Sequence, residues 1–309
     1  MSDQKSSQKA SQESSQKFSS DQPVAVITGA SSGIGKATAT ALVQLGWQVI
    51  GVGRNPERCA AAEAEIRASA ANNGRTLFLR ADFDRMADVV RVAAEIRRHT
   101  DRIDVLINNA GGVRDKLTIT PEGTEATFAS NHLAPFLLTR ELLPTLKATA
   151  AQQPAGTVRV IAVSSAGHRM AQGFNWDDLQ MLSNPGQFHA TYAYCVAKLA
   201  NIVFTRELAQ RAADDGIVAH AMHPGVVASN FSSHGDADLQ ANMSSRDCDS
   251  PDIPAKTLVW MATAAVVGAE PGRYFHNLEE EEPSPQALDP EAARRLWTES
   301  EALLAGLGH

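Results

Sequence analysis

The chain is poor in cysteine and carries no excess of positive charge. Its three cysteines, Cys59, Cys195 and Cys248, are scattered, so they build neither a disulfide framework nor a cluster with metal-ligand spacing. This usage fits a reducing compartment, and a cytoplasmic protein is expected. The 28 Lys and Arg against 35 Asp and Glu leave a formal charge of -7, which offers nucleic acid or anionic lipid no general attraction. A small-molecule partner is expected instead. No apolar run approaches the roughly 18 residues that span a bilayer, and the N-terminus lacks the apolar core of a signal peptide. A soluble, unsecreted protein without a membrane or nucleic-acid partner follows.

What is present is globular material, with 43% hydrophobic residues in a chain of 309, enough for a full core. Residues 1–22 read as a Ser/Gln/Lys stretch with one aromatic, too polar to repay the entropy of ordering, and are expected to form a disordered tail. From Pro23 onward, short β-branched or apolar runs alternate with long amphipathic segments, the pattern of a parallel sheet with crossover helices. Strands are predicted at Val24 to Thr28, Gln48 to Val52, Thr76 to Arg80, Val105 to Ile107, Val158 to Val163, Ile217 to Met222 and Tyr274 to Phe275. Helices are predicted over about 34–45, 56–71, 85–99, 122–149, 190–213, 252–266 and 290–304. The result is one doubly wound α/β domain over residues 23–309, with about seven strands and helices on both faces. The polar segment at about 228–254 is too long for an ordinary connection and reads either as a lid or as a surface insertion.

Four local patterns carry chemistry. Tyr194 and Lys198 stand four residues apart on a predicted helix, so they share a face where the cation can lower the pKa of the phenol. A shift of roughly 3 units from an ordinary value of about 10 needs on the order of 4 kcal/mol of preferential phenolate stabilisation. After the first strand, Thr28-Gly29-Ala30-Ser31-Ser32-Gly33-Ile34-Gly35 leads into a helix, where a glycine-rich turn lets pyrophosphate approach backbone N–H groups. Its spacing, Gly-x-x-x-Gly-x-Gly, differs from the ordinary dinucleotide fingerprint. At the end of the second strand stands Arg54, with no carboxylate to repel a ribose 2'-phosphate; Arg54, assisted by Lys36, favours NADP(H) over NAD(H). After the third strand, Asp82-Phe83 offers a carboxylate either to an adenine amino group or to the cap of the next helix.

Taken in order, TGASSGIG at 28–35, NNAG at 108–111, Asn131 in SNHLAPFLLTREL, Ser164-Ser165, YCVAKLANIVFTREL from 194 and HPGVV at 223–227 resemble the short-chain dehydrogenase/reductase family, within it the retinol dehydrogenase-like branch. The resemblance covers Pro23 to the C-terminus. It implies a Rossmann-type fold, a nicotinamide cofactor, and hydride transfer between that cofactor and a ketone, aldehyde or secondary alcohol. It implies that Tyr194 exchanges a proton with the substrate oxygen, that Lys198 lowers its pKa and holds the nicotinamide ribose, and that Ser165 stabilises the same oxygen, with Ser164 as the fallback. Asn131 would fix a water relaying protons to Lys198, or else kink its helix. Asn109, Ala110 and Gly111 would support the cofactor, as would Gly29, Ser31, Ser32, Gly33 and Ile34. Pro224 and Gly225 would open the turn beside the nicotinamide, and Val227 and Ser229 would reach its carboxamide.

The chain also departs from the family. Many relatives have Thr where Ser229 stands. The segment GHRMAQGFNWDDLQMLSNPGQFHA lengthens the interval between Ser165 and Tyr194; it is expected to wall the substrate site and to obstruct a helix-mediated subunit contact, favouring a monomer or homodimer over a tetramer. His168 in this segment reads as a packing or hydrogen-bonding residue rather than a catalyst. Tyr192 lacks a Lys at i+4 and is discounted as the catalytic phenol. Many retinol dehydrogenase-like enzymes carry a membrane anchor, which a hydrophilic tail replaces here. Two other readings of the fold are a catalytically silent nucleotide sensor or interaction module, disfavoured because Tyr and Lys are both kept, and an extended-type epimerase or dehydratase, disfavoured by the glycine spacing.

Overall fold

The computed structural model describes residues 17–227 and 247–309. Eight strands form one sheet in the order β3-β2-β1-β4-β5-β6-β7-β8. They are β1 (Val24–Thr28), β2 (Gln48–Gly53), β3 (Arg75–Arg80), β4 (Val105–Asn108), β5 (Val158–Val163), β6 (Ile217–Met222), β7 (Tyr274–His276) and β8 (Glu279–Glu280). The first seven pair in parallel, and β8 returns antiparallel to β7. β1, β2, β4, β5 and β6 are buried along their whole length, which is why their sequences run apolar without alternating: a parallel strand covered on both faces has no solvent side.

The helices are α1 (Gly33–Gln44), α2 (Pro56–Ala68), α3 (Met86–His99), α4 (Ala134–Ala150), α5 (Ala190–Arg211), α6 (Asp252–Thr263) and α7 (Pro290–Gly306). α1 and α6 pack on one face of the sheet, and α3, α4 and α5 on the other. The chain leaves β1 toward β2 and β3, then crosses back to place β4 on the other side of β1. That reversal opens a crevice at the C-terminal ends of β1 and β4, where doubly wound sheets bind their ligands.

The expected sheet of about seven strands is observed with one short strand added, and two expectations, the start of one helix and the disorder of the lead-in, need correction. The predicted helix over 122–149 begins later: Glu125, 1% exposed, accepts from the N–H groups of Thr127 and Phe128 at 2.8 and 2.6 Å and so caps a short turn, Ala126–Phe128. That turn passes through a π-helical turn, Ala129–Leu133, before α4. An eighth strand exists because Asn277 and Leu278 adopt positive φ and turn the chain back on β7. The lead-in expected to be disordered is ordered from Lys17 on. Phe18 is buried, its N–H donates to His99 O at 2.8 Å, and Arg75 lies over its ring. One aromatic anchor and the buried Gln48 amide, bonded to Ser19 at 2.8 and 2.7 Å, are enough to hold it. Residues 1–16 of the expected tail, and 228–246 of the expected lid, lie outside the described residues.

The insertion after Ser165 is used differently along its length. Phe174, Trp176, Leu179 and Met181 pack against the cluster formed by α5 and α7, and Arg295 of α7 lies over the Trp176 ring. Its first turn, Ala166–Met170, directly follows Ser165, and Gln180 accepts from the N–H of Glu125 at 2.9 Å, at the turn that leads to Asn131. α7 covers the outer side of α5: Trp297 stacks on Phe204 and meets Phe136 edge-on. Among the described residues no helix is long and apolar enough to cross a membrane.

Candidate active site

The turn after β1 is built around close backbone approach. At Gly35 a Cβ would lie 2.5 Å from Gly29 O, and Gly29 and Gly33 have positive φ, so the turn needs glycine for space and for conformation. Ser32 stands at the N-cap of α1, and its side chain makes no capping bond, which leaves the first amides of the helix free to meet an anion. Ser31 packs against Gly53 at the end of β2, where a Cβ would sit 3.1 Å from its hydroxyl. Ile34 packs into the core below. These residues fit a bound dinucleotide phosphate.

Thr28 ties this turn to the one after β4. Its hydroxyl accepts from the N–H of Asn109 and of Ala110 at 3.0 and 2.9 Å, while the Asn109 side chain donates to Thr28 O at 2.8 Å. Both turns line the crevice, and Thr28 is a positioning group that the sequence reading left unassigned.

Arg54 is exposed and has no partner among the described residues, whereas Lys36 pairs with Glu65 of α2. The expected help from Lys36 is therefore committed elsewhere. Asp82 accepts from Asp84 N–H at 3.2 Å in a tight turn and does not cap α3. That cap comes from Glu122, which accepts from the N–H of Met86 and Ala87 at 2.6 and 3.2 Å. Phe83 is buried in the core, so its side chain packs and only its backbone faces the crevice edge.

At the far end of the crevice, Asn131, Ser165, Tyr194 and Lys198 come together. The π-turn carries Asn131, fully buried; its amide donates to Gly112 O at 2.9 Å and Thr127 O at 2.8 Å, and its oxygen accepts from Gly112 N–H at 3.2 Å. A Cβ on Gly111 would lie 2.5 Å from Asn131 Oδ1 and 3.1 Å from Lys198 Nζ, which places all three around one point. Local π-helical geometry at such a position is common at functional sites.

Lys198 is 4% exposed, and its ammonium donates to Val163 O at 3.0 Å. Burial brings its pKa down to about 7. The same ammonium lies 5.5 Å from the centroid of the Tyr194 ring. Burial pushes the Tyr194 phenol above its ordinary range, opposed by a hydrogen bond with the Ser165 side chain. Both groups are desolvated, so burial disfavours the charged form of each, and the Ser165 hydrogen bond acts against the shift at Tyr194.

The two serines divide their roles. Ser164 is buried and donates to Lys198 O at 2.7 Å, bracing α5. Ser165 accepts from Gly167 N–H at 3.1 Å, so its hydroxyl proton is free to point at Tyr194 and the cleft. Tyr192 turns away and accepts from Gln172 N–H at 3.4 Å. Pro224 and Gly225 lie at the end of β6, where Gly225 N–H reaches His223 Nδ1 at 3.3 Å, and Val227 is buried against Asp249. Ser229 lies outside the described residues. Among the described residues no group of His, Cys, Asp and Glu is placed to hold a metal ion.

Residues 23–175 match the model of the short chain dehydrogenase family. The human protein named retinol dehydrogenase 13 is 36% identical over 294 residues, covering 91% of this chain and 84% of that protein. The chain is a short-chain dehydrogenase/reductase of the retinol dehydrogenase-like branch. Among solved structures of such enzymes, RhlG of Pseudomonas aeruginosa, described as an NADP active-site complex, is 26% identical with a TM-score of 0.65, covering 82% of this chain and 93% of that one. An uncharacterised protein from Mycobacterium paratuberculosis is similar over 93% of this short-chain dehydrogenase and 94% of its own chain, at 29% identity and a TM-score of 0.71.

Proposed function

We propose that this short-chain dehydrogenase transfers hydride between NADP(H) and a ketone, an aldehyde or a secondary alcohol, as a carbonyl reductase or alcohol dehydrogenase of the cytoplasm. The observation that carries the reading is the meeting of Ser165, Tyr194, Lys198 and Asn131 at one end of a crevice whose other end is the Gly29–Gly35 turn. The nicotinamide supplies the hydride chemistry when bound. Tyr194 holds the proton at its phenol oxygen and gives it to the substrate oxygen in reduction. Ser165 donates its hydroxyl hydrogen to that same oxygen, stabilising charge as it develops. Lys198 and Asn131 hold the polar floor beneath them. The turn residues Gly29, Ser31, Ser32, Gly33 and Ile34 would hold the phosphates, Asp82 and Phe83 the adenine edge, and Pro224, Gly225, Val227 and Ser229 the nicotinamide.

The unpaired guanidinium of Arg54, at the end of β2 where no acid stands, supports NADP(H). α7 and the insertion cover the outer side of α5, which supports a monomer or homodimer. The test is oxidation of NADPH and of NADH at 340 nm across aliphatic, aromatic and polycyclic ketones and aldehydes. Turnover is expected to prefer NADPH and to fall at least about a hundredfold in Tyr194→Phe with cofactor binding kept. Arg54→Ala is expected to weaken NADPH much more than NADH; equal losses would remove the coenzyme assignment.

A further inference from the structure

His168 lies three residues after Ser165 and is fully buried. Its Nδ1 is 2.7 Å from the carbonyl oxygen of Ser165, and its Nε2 is 3.0 Å from the backbone N of Ser284. A carbonyl only accepts and an amide N–H only donates, so these two partners fix the ring as the neutral tautomer with hydrogen on Nδ1 and a lone pair on Nε2. The backbone N–H of His168 also donates to Ser165 O, at 3.1 Å. Residue 168 thus grips the serine carbonyl twice. Tyr274 of β7 packs on the imidazole at 5.2 Å between ring centres and 70°, with its hydroxyl 3.4 Å from Nδ1.

We propose that His168 is a positioning residue for the reaction: held by Ser284 N–H, its ring fixes the Ser165 carbonyl and thereby the turn from which the Ser165 hydroxyl reaches Tyr194 and the substrate oxygen. The inference rests on the catalytic roles proposed above for Ser165 and Tyr194. The hydroxyl has one soft torsion, so its aim depends on where the backbone of Ser165 stands. Ser165 is the N-cap of a single 3-10 turn, Ala166–Met170, which has little intrinsic stability of its own. The clamp makes the end of β5 depend on a segment more than 110 residues away, between β8 and α7.

Two substitutions separate the two halves of the clamp. Asn places an amide donor near the position of Nδ1 and keeps the bond to Ser165, whereas Gln places an amide near Nε2 and keeps only the bond to Ser284. Ser284→Pro cuts from the other side: Ser284 has φ -63, which proline adopts, and the change removes the N–H that holds Nε2 together with a buried hydroxyl that makes no hydrogen bond among the described residues. The readout that needs no substrate is the 13Cζ resonance of Tyr194 in the full chain. The chain has three tyrosines, and Tyr194→Phe assigns the peak.

The expected result is that His168→Gln and Ser284→Pro move this resonance in the direction Ser165→Ala does and lower kcat about 10- to 100-fold, with the cofactor KM within about twofold. His168→Asn is expected to keep the resonance and most of kcat. A resonance unmoved by His168→Gln, or moved as far by His168→Asn, would overturn the proposal, as would a resonance indifferent to Ser165→Ala. Full turnover in Ser165→Ala and Tyr194→Phe would instead overturn the catalytic roles, a result that the resonance distinguishes from failure of the clamp.

Discussion

At the residue scale the cleft is marked by a buried lysine whose surroundings disfavour its charge. Lys198 has one hydrogen-bond acceptor, Val163 O, and burial leaves its pKa near 7, so its charge is lost as pH rises through that value. If the ammonium supports proton transfer from Tyr194, kcat/KM for carbonyl reduction should decline above about pH 7. Arginine stays charged throughout this range. Lys198→Arg is therefore expected to have lower activity but to lose the alkaline limb; initial rates between pH 6 and 9 decide, and an unchanged limb assigns it to another group. Tyr194 and Lys198 were legible because helical spacing brings i and i+4 together. The Ser165 assignment came from resemblance, and the geometry gives its reason: the Ser164 hydroxyl is spent on Lys198 O. His168 could not be read, because its ring is defined by Ser284, which no local pattern points to.

Among the elements, the seven parallel strands could be read within a residue or two, five of them (β1, β2, β4, β5 and β6) because burial on both faces writes continuous apolar runs. β8 could not, since Glu279 and Glu280 are exposed acids with no apolar face, held to β7 by backbone pairing and by the Arg273–Glu280 ion pair. The start of the helix carrying Asn131 was obscured because Glu125, which looks like a helix former, is the buried cap, and the π-turn shifts the apolar phase. α7 docks on α4 and α5 through an aromatic cluster. Trp297 stacks on Phe204, meets Phe136 at 4.8 Å and carries the Arg211 guanidinium 4.5 Å from its ring centre. Trp297→Ala is expected to cost about 3–5 kcal/mol in urea unfolding, as large-to-small changes in cores do. A loss below about 1 kcal/mol would mean that α7 packs only loosely on α5.

The whole molecule carries several histidines held neutral. Burial takes His132 down to about 3 and His220 to about 4, and it also lowers His168 and His223. In the unfolded chain each takes a proton near 6.5, so below that pH the unfolded state binds more protons than the folded one. Stability contributed by these groups is complete above about pH 6.5 and declines as pH falls toward 4, by about 1.4 kcal/mol per pH unit for each fully neutral histidine. Buried Glu125, whose pKa is raised, works in the opposite direction at the acid end of this window. Urea midpoints at pH 7 and pH 5 should therefore differ, and His132→Gln should narrow the difference; equal midpoints would mean that the histidines are solvated.

The docking of Phe18 and Ser19 bears on how the protein can be cut or joined. Gln48 opens β2 with its amide fully buried, and the partners of that amide are backbone groups of Ser19 and Gln22 rather than of the sheet. A shortened protein starting at Pro23, where hydropathy puts the domain edge, would strip those partners and leave a buried amide unsatisfied, a loss of about 1–3 kcal/mol. Trimming for crystallisation, or a protease site for tag removal, should leave Lys17 and everything after it in place.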